Sequence, residues 1–495
     1  MPRDILKLSP EVESALKKPL MSISLSQVAA AYNKLQSVIQ KYYPSLWPQT
    51  HAYLSAIATL CFSDFPLPVT LIVTGPSGSG KTQPLMWLMR ADSGIIERSD
   101  SFTPKSFVSH ASNVKKKELE KIDLLPKLKD RCLCTKELAP LFAGREDELR
   151  ASFAQLTTVL DGEGLVTSSG VHGTRGYHEP INFAWLGATV PPSEKVFGLM
   201  AALGTRLFFF STDGARPSAK DYAAKIGCIH QGEEGNVECQ KAVSVYLNTL
   251  IENIPIRTLT FNSIKISEVA QSYMGLLCDS LTKLRGGVSL GEGETVDSDR
   301  YGAPVIEHGW RAAQVLAALA KGSAIVRGSK KVELEDTNFI RHVCFSSMPE
   351  RRRKVFEAIL TIGGSVQASQ VAAQSSMSKP TALHYLKVFR ILGVVNGEMD
   401  NEPFIFTLSD DLRELLSKDG HTPSIHLTPN IEHNPKIFNT SALQEAPQIA
   451  VKQNGGVCLV NTKWDGETSE KYKETFLSVG GDEKYMPQPD LPEGF

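Results

Sequence analysis

The residues best placed to do chemistry are eight in a row: Gly75, Pro76, Ser77, Gly78, Ser79, Gly80, Lys81 and Thr82. Glycines let successive backbone N–H groups turn inward around an anion. A lysine placed here reaches the β- and γ-phosphates of a nucleotide, and the following hydroxyl can hold Mg2+. The apolar, β-branched run Val69 to Thr74 reads as a strand feeding this loop, and Leu85 to Met89 as the opening of a helix. Strand, loop and helix in that order are what a phosphate-binding loop requires. The segment therefore implies a nucleoside triphosphate bound through Gly75 to Thr82, with Mg2+ at the Thr82 hydroxyl.

Turnover needs more than the loop. Arg131 to Glu137 reads as a short buried strand ending in a carboxylate that could polarise water, Glu137, although a strand-end surface carboxylate would look the same. Lys136 stands where an aspartate usually supports the metal, which leaves Thr82, phosphate oxygens and water, or another acid such as Asp161. Within Asp161 to Gly176, apolar and polar positions alternate around Ser168-Ser169-Gly170 and read as a β-hairpin. Ile181 to Thr189 is a strongly apolar strand closing on a hydroxyl, placed either to sense the γ-phosphate or merely to end the strand. Arg206 leads directly into the apolar run Leu207 to Phe210. A charge there needs a partner or solvent, and in a ring of copies it could reach a neighbour's γ-phosphate.

This succession resembles an AAA+ ATPase, and within that class it is most similar to the minichromosome maintenance-like helicases. Glu307 to Ala320 resembles the family's lid helix, which makes Arg311 the sensor-2 candidate, and Val332 to Arg341 resembles the segment that follows. The resemblance implies a P-loop α/β core with a helical lid, ATP hydrolysis coupled to DNA, and a homo-oligomer such as a hexameric ring. It also implies that His172 and Arg175, at the hairpin, touch a DNA strand. Lys136, and Thr189 where asparagine is usual, depart from the family pattern.

Residues 354–409 carry a second pattern. Two apolar helical stretches, Lys354 to Ile362 and Val366 to Ala373, precede a turn and a third helix, Ser378 to Leu392. Ser378 is a good N-cap and Pro380 is tolerated in the first turn. Two short β-like runs follow. The segment resembles a winged helix-turn-helix domain, whose third helix would offer DNA the residues Lys379, Thr381, His384, Lys387 and Arg390. Lysines there would mostly meet phosphates.

The elements that must hold these residues come from a 495-residue chain, enough for about three domains. Net charge is −1, so no global basic field draws in nucleic acid and any such contact must be local. Eight cysteines in a chain this long do not make a disulfide framework, and Cys228, His230 and Cys239 lack a fourth zinc ligand. No apolar run reaches membrane-spanning length and the amino terminus lacks a signal-peptide core, so a cytoplasmic or nuclear protein is expected. The expected division is 1–46 helical, 47–212 P-loop core, 213–303 helical insertion with an acidic loop from Gly286 to Arg300, 304–348 lid, 349–415 winged helix, and 416–495 a loosely ordered tail. Two other readings use the same residues: an ATP-switched DNA-binding regulator, and a helicase-loader-type ATPase acting on a protein partner.

Overall fold

The computed structural model describes residues 24–418 apart from 112, 171–172, 205, 213–217, 228, 291–300 and 399–402, together with 452–453 and 456–457. His172 and Cys228, and nearly all of the expected tail, lie outside the described residues. The chain divides into a unit Met1–Ile431 and a unit Glu432–Phe495, whose described part is the short pairing of Lys452–Gln453 with Gly456–Val457.

Helix α1, Leu25–Tyr42, buries Val28, Tyr32, Leu35 and Ile39, the i, i+4, i+7, i+11 stripe of an amphipathic helix. Helix α2, Trp47–Ala58, is buried along most of its length. Strand β1, Val69–Thr74, then delivers the chain to the glycine loop and to α3, Gln83–Met89. Strands β2 (Ile96–Arg98) and β3 (Cys132–Thr135), helix α4 (Glu146–Leu160), the hairpin strands β4 (Leu165–Ser169) and β5 (Gly173–Tyr177), and strand β6 (Ala184–Thr189) follow. Helix α5, Glu194–Leu203, leads to strand β7, Phe209–Ser211.

Strands β2-β3-β6-β1-β7 form one sheet in that order, every pairing parallel. Parallel strands are covered on both faces, and every residue of β1, β3 and β6 is buried. Alternation then assigns neighbours to opposite faces: Leu71 and Val73 join one core cluster, Ile72 the other. β6 lies between β1 and β3, so the strand leading to Glu137 is two places from the strand leading to the glycine loop, roughly 10 Å across the sheet.

Beyond the sheet come α6 (Ile229–Asn253), α7 (Glu268–Leu284), strands β8 (Gly287–Leu290) and β9 (Tyr301–Val305), α8 (Trp310–Val326) and α9 (Thr337–Ser346). Within the expected loop from Gly286 to Arg300, Gly287–Leu290 is instead a strand paired antiparallel with Tyr301–Val305, and residues 291–300 lie outside the described residues. The end of α9 closes the exposed edge of β7. Ser347 Oγ accepts from Phe209 N–H and Ser346 Oγ from Ser211 N–H, both at 3.0 Å. Two hydroxyls thus occupy donors that an incoming strand would otherwise use.

The chain finishes in α10 (Glu350–Ile362), β10 (Ser365–Gln367), α11 (Ala368–Ser375), α12 (Lys379–Ile391), β11 (Val395–Glu398) and β12 (Ile405–Leu408). The strands form an antiparallel sheet in the order β10-β12-β11. Val366, expected to open a helix, is instead in a strand paired with Phe406, because Gly363 and Gly364 both hold positive φ and send the chain out of α10 extended. Ser378 caps α12, its hydroxyl accepting from Thr381 N–H.

Candidate functional site

The glycine loop leaves β1 at the carboxyl end of the sheet, where open parallel α/β folds bind ligands. Gly78 and Gly80 both hold φ near +81°, a conformation that side chains disfavour. Gly75 is needed for another reason. A Cβ there would stand 2.3 Å from Thr212 Oγ1 and 2.8 Å from Ser79 Oγ. Those hydroxyls lie 3.1 Å apart, and Thr212 Oγ1 also donates to Thr74 O, so the loop is tied to the end of β7. Lys81 is buried and its ammonium donates to Pro76 O at 3.1 Å, folding across the loop it would share with a phosphate. Pro76, Ser77 and Gly78 are exposed, and Thr82 is half-buried at the N-cap of α3.

Neighbouring elements brace this arrangement. Asn236 Oδ1 on α6 accepts from both Gln83 Nε2 and Trp87 Nε1 at 2.5 Å, clamping α3. Tyr53 donates to Gly187 O at 2.8 Å, and Gln49 donates to Gly80 O at 3.4 Å. Asn236 has no local signature in the sequence; for Thr212 the available signal was the Ser211-Thr212 pair closing a buried strand.

Thr189 is paired in register with Thr74, and its carbonyl accepts from Gly75 N–H at 3.3 Å. It is fully buried, and its hydroxyl has no hydrogen-bond partner among the described residues. Glu137, two residues past β3, is exposed, and one oxygen accepts from Ala139 N–H at 2.9 Å. Lys136 is also exposed and lies close to Asp100. Arg98, bonded to Asp100 at 2.7 and 3.0 Å, holds that carboxyl below its usual range, and Lys136 adds to the effect. No group of three or more His, Cys, Asp or Glu side chains suited to a metal occurs among the described residues.

Arg206 and Arg311 lie at the other end of the sheet. Arg206 precedes β7, and its carbonyl accepts from Thr70 Oγ1 at 2.5 Å, near the start of β1. Thr74 is four residues further along, roughly 13 Å at strand rise. Arg311 opens α8, about a hundred residues later in the chain, yet both guanidiniums reach Asp161 Oδ1. Arg206 does so through Nε at 3.2 Å and Nη2 at 3.1 Å, Arg311 through Nη1 at 2.7 Å. Arg311 also donates to Leu160 O. Burial, then the nearby Arg206 charge, push the Arg311 guanidinium below its ordinary pKa, while Asp161 opposes the shift. Asp161 is therefore committed to two arginines and is not the metal-supporting acid of its own chain's glycine loop.

Arg175, at the hairpin, points inward. It is 8% exposed and pairs with Asp123 at 2.7 Å, while Tyr177 donates to the same carboxylate at 2.8 Å. In α12, Lys379 is exposed, and Thr381 and Lys387 are half-buried. His384 stacks on Tyr301 of β9, its Nδ1 3.1 Å from the phenol, and burial lowers its pKa. Tyr385, next along, donates to Glu194 Oε1 of α5 at 2.5 Å. One side of α12 is thus docked on the body of the molecule. Arg352 and Arg353 at the start of α10 are also buried: Arg352 donates to Gly286 O and Arg353 pairs with Glu357.

No family model and no curated protein matches the chain. Among solved structures it is similar to one described as an ATPase from Cytophaga hutchinsonii, at 15% identity over 68% of this chain and 90% of that one, with a TM-score of 0.35. It is also similar to a full-length MCM homolog from Methanopyrus kandleri, at 13% identity over 67% of this chain and 62% of that one, with a TM-score of 0.33. At that distance neither neighbour assigns a function to this chain. No helix among the described residues is long and apolar enough to cross a membrane.

Proposed function

We propose that this chain is an ATP-hydrolysing AAA+ protein that works as an assembly of identical copies and acts on DNA. The observation that carries the reading is the placement of two half-sites at opposite ends of one parallel sheet. The glycine loop with Lys81 is at the carboxyl end, and Arg206 with Arg311 is at the other. Arginines so far from their own loop serve a nucleotide best when a second copy brings its loop to them. An exposed apolar strip beside Arg311 suits such a contact: Trp310 is 81% exposed, Val305 50% and Ile306 40%.

In this reading Lys81 and the loop amides bind the phosphates, Glu137 orients the attacking water, and Thr189 hydrogen-bonds the γ-phosphate or that water. Arg206 and Arg311 of the next copy stabilise the charge that develops on the transferring phosphoryl group. The donors fit a magnesium ion held by the Thr82 hydroxyl and otherwise by water and phosphate, where it would neutralise phosphate charge; Lys136 offers it nothing. DNA would meet the three helices and three-stranded sheet of residues 350–408, read as a winged helix-turn-helix, through Lys379, Thr381 and Lys387.

The exposed Lys136 favours a second reading, in which ATP is a slowly hydrolysed switch that controls DNA binding. ATP turnover by the full chain, with and without single- and double-stranded DNA, separates the two. The motor reading expects DNA-stimulated turnover. Lys81→Ala should abolish ATP binding, while Glu137→Gln should bind ATP and hydrolyse it about 100-fold or more slowly. Tight ATP binding with no turnover under any DNA condition overturns the motor and leaves the switch.

A further inference from the structure

We propose that Asp161 is a positioning residue: its carboxylate fixes Arg206 and Arg311 side by side as a single two-guanidinium receptor for the terminal phosphate of a nucleoside triphosphate held by a neighbouring copy. The proposal rests on the reading that Arg206 serves such a neighbour. Like charges from distant parts of the chain do not converge without a counter-charge between them, and here three guanidinium N–H groups share one oxygen of Asp161. Arg311 Nε, buried nearby, has no hydrogen-bond partner among the described residues. The two arginine side chains are 20% and 21% exposed and Asp161 is 37% exposed, so the cluster is anchored yet open on one side.

The backbone is shaped for the same geometry. Gly204 holds φ of +82°, and a Cβ there would stand 2.2 Å from Arg206 Nη1. Only a glycine lets that guanidinium fold back over the end of α5, where Nη1 also lies 3.4 Å from Leu203 O, and reach Asp161. Leu160 O fixes Arg311 from the residue before Asp161, so one helix end orients both forks. A planar guanidinium recognises phosphate well only when its orientation is set, which is what this carboxylate supplies.

Mixing experiments with full-length variants under saturating MgATP test the assignment. Asp161→Asn keeps the side chain's size and removes its charge. Alone it should hydrolyse ATP at least about ten-fold more slowly than wild type, with ATP affinity unchanged, because only its arginine-donating side is damaged. Mixed with Lys81→Ala it should regain turnover, since its intact loop then faces intact arginines; mixed with Arg206→Ala it should not. Wild-type turnover by Asp161→Asn, or no recovery with Lys81→Ala, overturns the assignment while recovery in the Arg206→Ala and Lys81→Ala mixture keeps the trans reading alive. No recovery in that control mixture, with assembly intact by sedimentation, overturns the trans reading and the assignment together. Should Asp161→Asn not fold, Asp161→Glu is read in the same mixtures. A carboxylate displaced by one methylene should cost turnover several-fold and be complemented only by Lys81→Ala, and a wild-type rate there overturns the assignment.

Discussion

Thr189 is fully buried with its hydroxyl unpaired among the described residues, an expensive condition for a polar group, of order 1–3 kcal/mol. The proposed function gives that hydroxyl a use, a hydrogen bond to the γ-phosphate or attacking water once nucleotide is bound. Thr189→Val replaces the hydroxyl by a methyl of the same shape. Without nucleotide the variant should melt about 1–2 °C higher than wild type, because the uncompensated group is gone. Its ATP turnover should fall about ten-fold while nucleotide still binds. A melting temperature several degrees lower would show that the hydroxyl is already bonded in the free protein. At this scale the sequence was legible where chemistry is local: residues 75–82 announce themselves because eight neighbours do one job. Asp161 was not, since its partners lie 45 and 150 residues away, and nothing short of the fold brings them together.

Among elements, the close approach of α8 to α2 is informative. A Cβ at Gly322 would stand 2.1 Å from Ser55 O, so the two helices meet backbone to side chain-free backbone. Gly322→Val should force them apart and cost about 2–4 kcal/mol, read as a lower urea midpoint. Because α2 also carries Tyr53 to Gly187 O and Gln49 to Gly80 O, ATP affinity should fall with it. An unchanged midpoint would mean the helices have room to spare. Periodicity reveals elements of this kind but not their approach. The stripe of α1, the buried strands around Leu71, Leu133 and Leu186, and the hairpin across Gly170 were all readable from spacing. The pairing of Ser365–Gln367 with Ile405–Leu408 was not, because three residues carry too little pattern to distinguish a strand from the start of a helix.

Across the molecule, one buried chain of hydrogen bonds ties α1, α2 and α8 to the start of α9. Tyr32 Oη and His51 Nδ1 are 2.9 Å apart, His51 Nε2 and Ser323 Oγ 3.0 Å, and Ser323 donates to Asp336 Oδ1 at 3.1 Å. Asp336 also receives Arg327 Nε and Nη2 at 2.6 and 2.5 Å. With Ser323 donating to Asp336, its oxygen must accept from His51 Nε2–H, which leaves Nδ1 to accept from Tyr32. Every member is satisfied only when the imidazole is neutral. Burial, helped by the charge of Arg327, accordingly lowers the pKa of His51 to about 4 from an ordinary value of 6.5. Below pH 6.5 the unfolded chain takes up a proton that the folded one refuses until about pH 4, so stability is complete above 6.5 and declines as pH falls through that window. The full loss should be on the order of 3 kcal/mol by pH 4, seen as a falling melting temperature. His51→Gln, which keeps a hydrogen-bonding side chain without a titrating one, should be less stable at pH 7 but show a flatter decline between pH 6.5 and 4. An equally steep decline in that variant would mean that other groups carry the acid sensitivity and that this network is indifferent to protons.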